Sequence, residues 1–370
     1  MSTSSGQAGD QPLWTEAPPG GSWADRSILG LSHLERASFA RQGRLPISPM
    51  TYLTEMAYDE ASDGHAAFSI PASPWFANAA GLIPGGMLAP VADAGLGASV
   101  GTRLGPGVLF TTAELSLTFI SPLRPADGTR VTAAGQAIHV GRSMGISEAF
   151  LIAEPEDRLI AHGTTRCAIF PPLDPVPEPP EELPVLEQEL PGGEPHHPLR
   201  RPLRGEPLQQ ETFERLSGLE LLEGWIAGEL PSPPLHHLTG LRPVSAAPGA
   251  CEWALPCSRW LASPAGTVQG GFIAMLADAA LAGAALSTAP AGTAVATLDL
   301  KVNYLRPVFP DGADLTARAT VQHRGRNLAV IGAELVKEGK QAALATGSAM
   351  FLPGRPADLA GVELPAAAEE

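Results

Sequence analysis

Cysteine is scarce. The 370 residues hold three, Cys167, Cys251 and Cys257. Three cannot build a disulfide framework, and their spacing is not that of a zinc site. Positive charge is also short, with 24 Lys and Arg against 39 Asp and Glu, a formal charge of −15. A nucleic-acid binder needs a basic face to neutralise phosphates, and an anionic membrane attracts basic segments, so neither partner is expected. The stretch from Met1 to Trp14 lacks the basic and apolar regions of a signal peptide. With so few cysteines, a reducing cytoplasm is the expected compartment.

What is abundant is apolar sequence, 44% of residues, in a chain long enough for two domains. One run, Gly270 to Leu298, has Asp278 as its only charge. Pro290, Gly283 and Gly292 interrupt it. It therefore reads as a helix buried inside a fold followed by a strand, rather than as a membrane span.

The chain repeats itself. At an offset of 185, Pro49–Pro122 overlays Pro234–Pro307 with 22 identities in 74 pairs. Gly85 falls on Gly270, Gly86 on Gly271, Asp93 on Asp278, Thr112 on Thr297 and Pro122 on Pro307. One deletion later, Asp127-Gly128 falls on Asp311-Gly312, and His139, Gly141 and Arg142 fall on His323, Gly325 and Arg326. Each unit is domain-sized, unlike the short periods of solenoids. Between the units, Pro171–Pro207 contains 12 prolines and reads as an extended linker. The expected organisation is a disordered start (1–28), a first domain (29–172), a linker (173–210), a second domain (211–353) and a tail (354–370).

Both units read alike. Leu31–Gln42 and Phe213–Ile226 carry helix-spaced apolar residues. Short alternating segments such as Ala66–Ile70 precede a long apolar helix from Gly85 or Gly270. Four strand-like runs follow, in the first unit Phe110–Phe119, Arg130–Val140, Ile146–Ala153 and Leu159–Phe170. One buried helix followed by successive antiparallel strands is an α+β unit, with a curled sheet wrapped around the helix.

The start of the long helix is where chemistry is expected. Gly-Gly leaves free N–H groups at the positive end of the helix dipole, suited to a carbonyl oxygen becoming an oxyanion. An Asp in an Ala/Leu/Val helix is costly to bury, so its pKa should rise, as suits a general base or a carboxylate nucleophile. The plainer reading of the same residues is close helix packing and a structural Asp. Gly85 and Asp93 stand roughly 12 Å apart along one helix. They cannot serve one carbonyl, which must lie about 3 Å from both donor and base. Two antiparallel helices would instead pair Gly85 with Asp278 and Gly270 with Asp93, across the seam between repeats.

The string Asn78…Pro84-Gly85-Gly86…Asp93…Thr112…Phe119-Ile120-Ser121-Pro122 is met again as Ser263…Gln269-Gly270-Gly271…Asp278…Thr297…Tyr304-Leu305-Arg306-Pro307. It resembles the hotdog-fold thioesterases of the phenylacetate-pathway and thioesterase-superfamily-member-2-like group. The likeness spans roughly residues 45–172 and 230–353. It implies two tandem hotdog domains paired in cis as a pseudo-dimer, with pairing of whole chains a further implication. It also implies hydrolysis of acyl-CoA thioesters, with CoA entering only as part of the substrate and no cofactor. By resemblance, Gly85 and Gly270 donate to the thioester oxygen, Asp278 and Asp93 activate water or attack, Thr297 and Thr112 hold the water, and Asn78 orients it. Gly86, Gly271, Ser263, Arg142 and Arg326 are assigned to substrate or CoA. The family's His before Gly-Gly is Pro84 in one copy and Gln269 in the other, and Pro84 could alter the helix entry. Asn78 has only Ser263 as counterpart. The site with Asn78, Gly85, Asp278 and Thr297 is therefore favoured over that with Ser263, Gly270, Asp93 and Thr112. A hotdog dehydratase and a non-catalytic acyl-CoA or acyl-carrier binding module are the alternatives.

Other features carry less. Gly141-Arg142-Ser143-Met144-Gly145 matches a nucleophile elbow, but a strand-like run follows it where a helix is required. His139 and His323 sit at matching strand ends near Arg142, Arg324 and Arg326. His162 reads as structural, and Trp75 and Trp260 as core. His196-His197 and His236-His237 read as linker or strand-edge pairs without a metal.

Overall fold

The computed structural model describes residues 12–19, 21, 25–188 and 197–353. In the first repeat the elements are α1 (His33–Arg41), α2 (Pro49–Thr54), β1 (Ala57–Ser62), β2 (His65–Pro71), α3 (Gly85–Gly101), β3 (Phe110–Phe119), β4 (Arg130–Val140), β5 (Met144–Glu154) and β6 (Arg158–Ile169). The second repeat follows with α4 (Gln210–Arg215), α5 (Gly218–Ala227), α6 (Pro234–Thr239), β7 (Arg242–Ala247), β8 (Ala250–Pro256), α7 (Gly270–Leu286), β9 (Thr293–Tyr304), β10 (Asp314–Arg324), β11 (Leu328–Lys337) and β12 (Lys340–Pro353). This is the tandem hotdog architecture, a central helix wrapped by antiparallel strands, built twice.

The two sheets are continuous. Twelve strands run in the order β1-β2-β4-β5-β6-β3-β9-β12-β11-β10-β8-β7. β3 and β9 join the halves antiparallel, and Ser116 pairs with Lys301, its own counterpart 185 residues on. That pairing places a local two-fold axis between them.

The concave face is lined by small residues because the strands must close tightly on a helix. Gly135 in β4 rests on the Gly95 carbonyl, and Ser147 in β5 donates to the Leu96 carbonyl. Fourteen of the 17 residues of α3 and 13 of the 17 of α7 are buried, which is why both helices are apolar all round. Among the described residues, no helix is long and apolar enough to cross a membrane.

The repeat begins earlier than the best sequence overlay. Ser32 and Glu35 form a capping box at α1, and Ser217 and Glu220 form one at α5, again 185 apart. The second box splits the expected Phe213–Ile226 helix into α4 and α5.

Part of the start expected to be disordered is folded. Leu13 and Ile28 are buried, and Glu16 pairs with Arg201 at 2.8 Å. The reason is apolar anchoring that a Gly/Ser/Pro count does not register. The remainder of that start (residues 1–11, 20 and 22–24), His196 and the 354–370 tail lie outside the described residues. The linker has no helix or strand from 172 to 188, and a single 3-10 turn at Pro198–Arg200. His197 is buried against Glu55 at 3.1 Å. Trp75 and Trp260 are core residues, donating to the Arg201 and Glu16 carbonyls.

Candidate active site

The central helices cross antiparallel at their N-terminal halves. A methyl added to Gly86 would stand 2.7 Å from Asp278 Cβ, and one added to Gly271 would stand 2.3 Å from Pro90 Cα. The second glycine of each pair is thus what lets the helices approach. The crossing sets each helix start against the carboxylate of the other repeat.

At the first site, the Gly86 N–H donates to Asp278 Oδ2 at 2.8 Å. The adjacent Gly85 N–H has no protein acceptor among the described residues. Pro84 caps the helix at φ −67°, ψ 152°, close to the φ −66°, ψ 140° of Gln269, so proline leaves the helix entry unaltered. Asp278 is buried, and its Oδ1 has no hydrogen-bond partner. Burial pushes the Asp278 pKa up; the Gly86 N–H and the nearby Thr297 pull it partly back. Thr297 acts there by proximity, without a hydrogen bond to the unpartnered oxygen.

Asn78 completes this site. Its Oδ1 accepts from the Ala80 N–H at 2.9 Å and the Leu82 N–H at 3.2 Å. Two donors fix which end of the amide is oxygen. The NH2 group is left to face outward from the turn, and Asn78 lines the same cavity as Asp278.

That cavity has a volume of about 190 Å³. Asn78, Pro84 and Asp278 contribute to its wall, and the rest is largely apolar, with Phe213, Leu221 and Trp225 from α4 and α5 and Trp253 from β8. Leu208, from the end of the linker, also lines it. His236 was expected in a linker or strand edge. It stands instead in α6, a helix nucleated by Pro234, with its ring edge-on to Trp253. Burial, then neighbouring His237, pushes its pKa down to about 3, so it lines the cavity as a neutral imidazole. Trp253, His236 and the α4–α5 residues carry no motif; only their apolar spacing could have hinted at them.

The second site is built differently. Asp93 Oδ1 accepts from Thr112 at 2.7 Å and Oδ2 from the Gly271 N–H at 3.2 Å, so both oxygens are engaged. Burial lifts the Asp93 pKa to about 6 against those two hydrogen bonds. Tyr304 donates to the Gly270 carbonyl at 2.8 Å. Gln269 reaches across the seam to the Pro90 carbonyl at 2.8 Å. Ser263 keeps the turn geometry of Asn78, its hydroxyl 3.4 Å from that of Thr267, but brings no amide.

Arg142 and Arg326 lie exposed in the β4–β5 and β10–β11 turns. Gly145, beside the first turn, packs on Val100, roughly 10 Å along α3 beyond Asp93. The structure does not bring either arginine to a carboxylate. Arg324 lies over the Phe351 ring and bonds Thr288. Ser143 sits in a turn that leads into β5, which removes the elbow geometry. His162 is 3.6 Å from Glu148 on the sheet. The three cysteines are free and buried, and among the described residues no group of three or more His, Cys, Asp or Glu could hold a metal ion.

Comparison with known proteins bears on the same regions. The family model described as "Thioesterase superfamily" matches residues 80–160 and 265–343, one match in each repeat. A conserved protein from Pseudomonas aeruginosa is 33% identical over 32% of this chain and 92% of its own, with a TM-score of 0.30. A mutant form of the phenylacetic acid degradation protein PaaI from Thermus thermophilus is 34% identical over 32% of this chain and 99% of its own, with a TM-score of 0.30. The tesB protein of Mycobacterium avium subspecies paratuberculosis shares the fold over 82% of this chain and 98% of its own, with a TM-score of 0.51 at 13% identity. No curated protein matches the chain.

Proposed function

The chain belongs to the thioesterase superfamily, and from that premise we propose that it hydrolyses acyl-CoA or related acyl thioesters at the first site. One observation carries the reading. A donor-rich helix start from repeat 1 and a buried carboxylate from repeat 2 meet at 2.8 Å on the wall of an apolar cavity.

In this reading the thioester carbonyl sits against the free Gly85 N–H. A preorganised donor of this kind typically contributes about 3–4 kcal/mol to a transition state. Asp278 either takes a proton from water as the water attacks the carbonyl, or attacks the carbonyl itself to form an anhydride that water then cleaves; in both routes the C–S bond breaks and the thiolate leaves, taking up a proton to become the free thiol. Its raised pKa makes the carboxylate a stronger base than an ordinary Asp. Asn78 offers N–H donors to the water or the carbonyl, and Thr297, near the carboxylate, helps to hold the water. The acyl group fills the cavity. A void of about 150 Å³ takes benzene, so about 190 Å³ suits an aryl group with a short spacer or a short-to-medium alkyl chain.

The test is a screen for thiol release across acyl-CoAs from acetyl to palmitoyl, with aryl-acetyl members included. Turnover favouring compact acyl groups supports the proposal. Saturable binding without thiol release would favour a binding module, and hydration of an enoyl-CoA would favour a dehydratase.

A further inference from the structure

The two sites differ in a way that the local chemistry around the carboxylates does not explain. With the repeats in register, the wall residues on α5, α7 and β9 have counterparts 185 positions earlier. Val295, Ala282 and Leu286 line the cavity beyond Asp278. Their counterparts beyond Asp93 are Phe110, Gly97 and Gly101. Phe110 stands two residues before Thr112 on β3, as Val295 stands two before Thr297 on β9, so the ring falls on the same side of the strand as the Asp93 partner.

The ring lies on the helix surface that those two glycines leave bare. A methyl at Gly97 would be 3.5 Å from Phe110 Cε2, and one at Gly101 would be 3.1 Å from Cε1. Beside it stands His33, ring centroids 5.0 Å apart and tilted by 55°, its Nδ1 also 2.9 Å from a methyl placed at Gly101. His33 is the counterpart of Gly218, and burial, then Arg36, holds it neutral with a pKa near 3. Leu221, a wall residue of the open cavity, is matched by the buried Arg36.

Building on the hydrolase reading of the first site, we propose that Phe110, braced by His33, fills the space beside Asp93 that an acyl group takes beside Asp278. The chain then has one acyl pocket, and Phe110 is the residue that denies a second. Val295 is the matching determinant of the open one. Exchanging the two side chains should therefore move the capacity for an acyl group.

The experiment uses the full chain and its F110V and V295F variants. Titration with a thioether analogue of the best acyl-CoA counts sites. The wild type should bind one per chain, F110V two, and V295F none, with turnover of that acyl-CoA falling at least tenfold in V295F. A folded F110V that still binds one, or a wild type that binds two, overturns the proposal. If F110V does not fold, F110L makes a smaller opening at the same point, and tighter acyl exclusion in V295F stands on its own. Xenon-pressurised crystals separate this proposal from the hydrolase reading. One xenon site per chain in the wild type and two in F110V would support the plug even if no acyl-CoA were bound or cleaved. A single site in both would refute it.

Discussion

Replacing Asp278 by Asn keeps the shape of the side chain and removes its ability to take a proton or attack. The buried carboxylate of Asp278 has one oxygen on the Gly86 N–H and one unpartnered. The amide oxygen can keep the first contact, so the helix crossing should survive. What is lost is the base, worth about 10²–10⁴-fold, or about 3–5 kcal/mol of barrier. The same change at Asp93 removes a carboxylate whose two oxygens are already held by Thr112 and Gly271, beside a pocket filled by Phe110. D93N should therefore cost no more than a few-fold. The assay is kcat/KM for thiol release with the preferred acyl-CoA, with circular dichroism to confirm folding. Equal losses in the two variants would refute the asymmetry of the sites, and a fully active D278N would refute the role of the carboxylate.

Three further outcomes follow from the same geometry. Because burial raises the Asp278 pKa, kcat/KM should climb with pH through a step above the ordinary Asp range of about 3.9, and D278N should lack that step; a flat wild-type profile from pH 4 to 9 would contradict it. Asp93 carries a folded-state pKa of about 6 against an ordinary 3.8, so it binds a proton in the folded state that the unfolded chain has released. Its contribution to stability is therefore present below about pH 4 and lost as pH rises through about 6, by up to about 3 kcal/mol. D93N should gain melting temperature over the wild type at pH 8 and little at pH 4, and an equal gain at both would refute the linkage. A methyl at Gly271 would meet backbone at Pro90 Cα, 2.3 Å away, whereas one at Gly86 meets first the Asp278 side chain, 2.7 Å away at Cβ. Denaturant titration should thus find G271A the more destabilised of the two, each by about 1–3 kcal/mol or more.

Much of the architecture could be read from the chain because the repeat states it twice. The all-apolar helices, the Gly-Gly starts and the strands from Phe110 to Phe119 and Arg130 to Val140 fall at the ends their patterns predict. The cross-seam pairing followed from helix rise alone, since about 12 Å separates each glycine from its own Asp. β1 was not legible, because it is an edge strand with Asp59 and Glu60 exposed and only half-buried residues beside them. α2 and α6, six residues each, are too short to show a helical period. The difference between the sites was legible only in part. Asn78 against Ser263 pointed to the first site. The packing of Phe110 on Gly97 and Gly101, the wall that α4 and α5 supply, and the burial of His236 depend on tertiary contacts that no local spacing reveals.

The most direct test is a crystal structure of the D278N chain with a non-hydrolysable ketone analogue of its preferred acyl-CoA, in which a CH2 separates the carbonyl from the sulfur. The account predicts one analogue per chain, its carbonyl oxygen about 3 Å from the Gly85 N–H, its carbonyl carbon facing residue 278, and its acyl group among Phe213, Trp225, Trp253 and Val295. An analogue whose carbonyl lies away from both the Gly85 amide and position 278, or whose acyl group lies beside Asp93 instead, would contradict it.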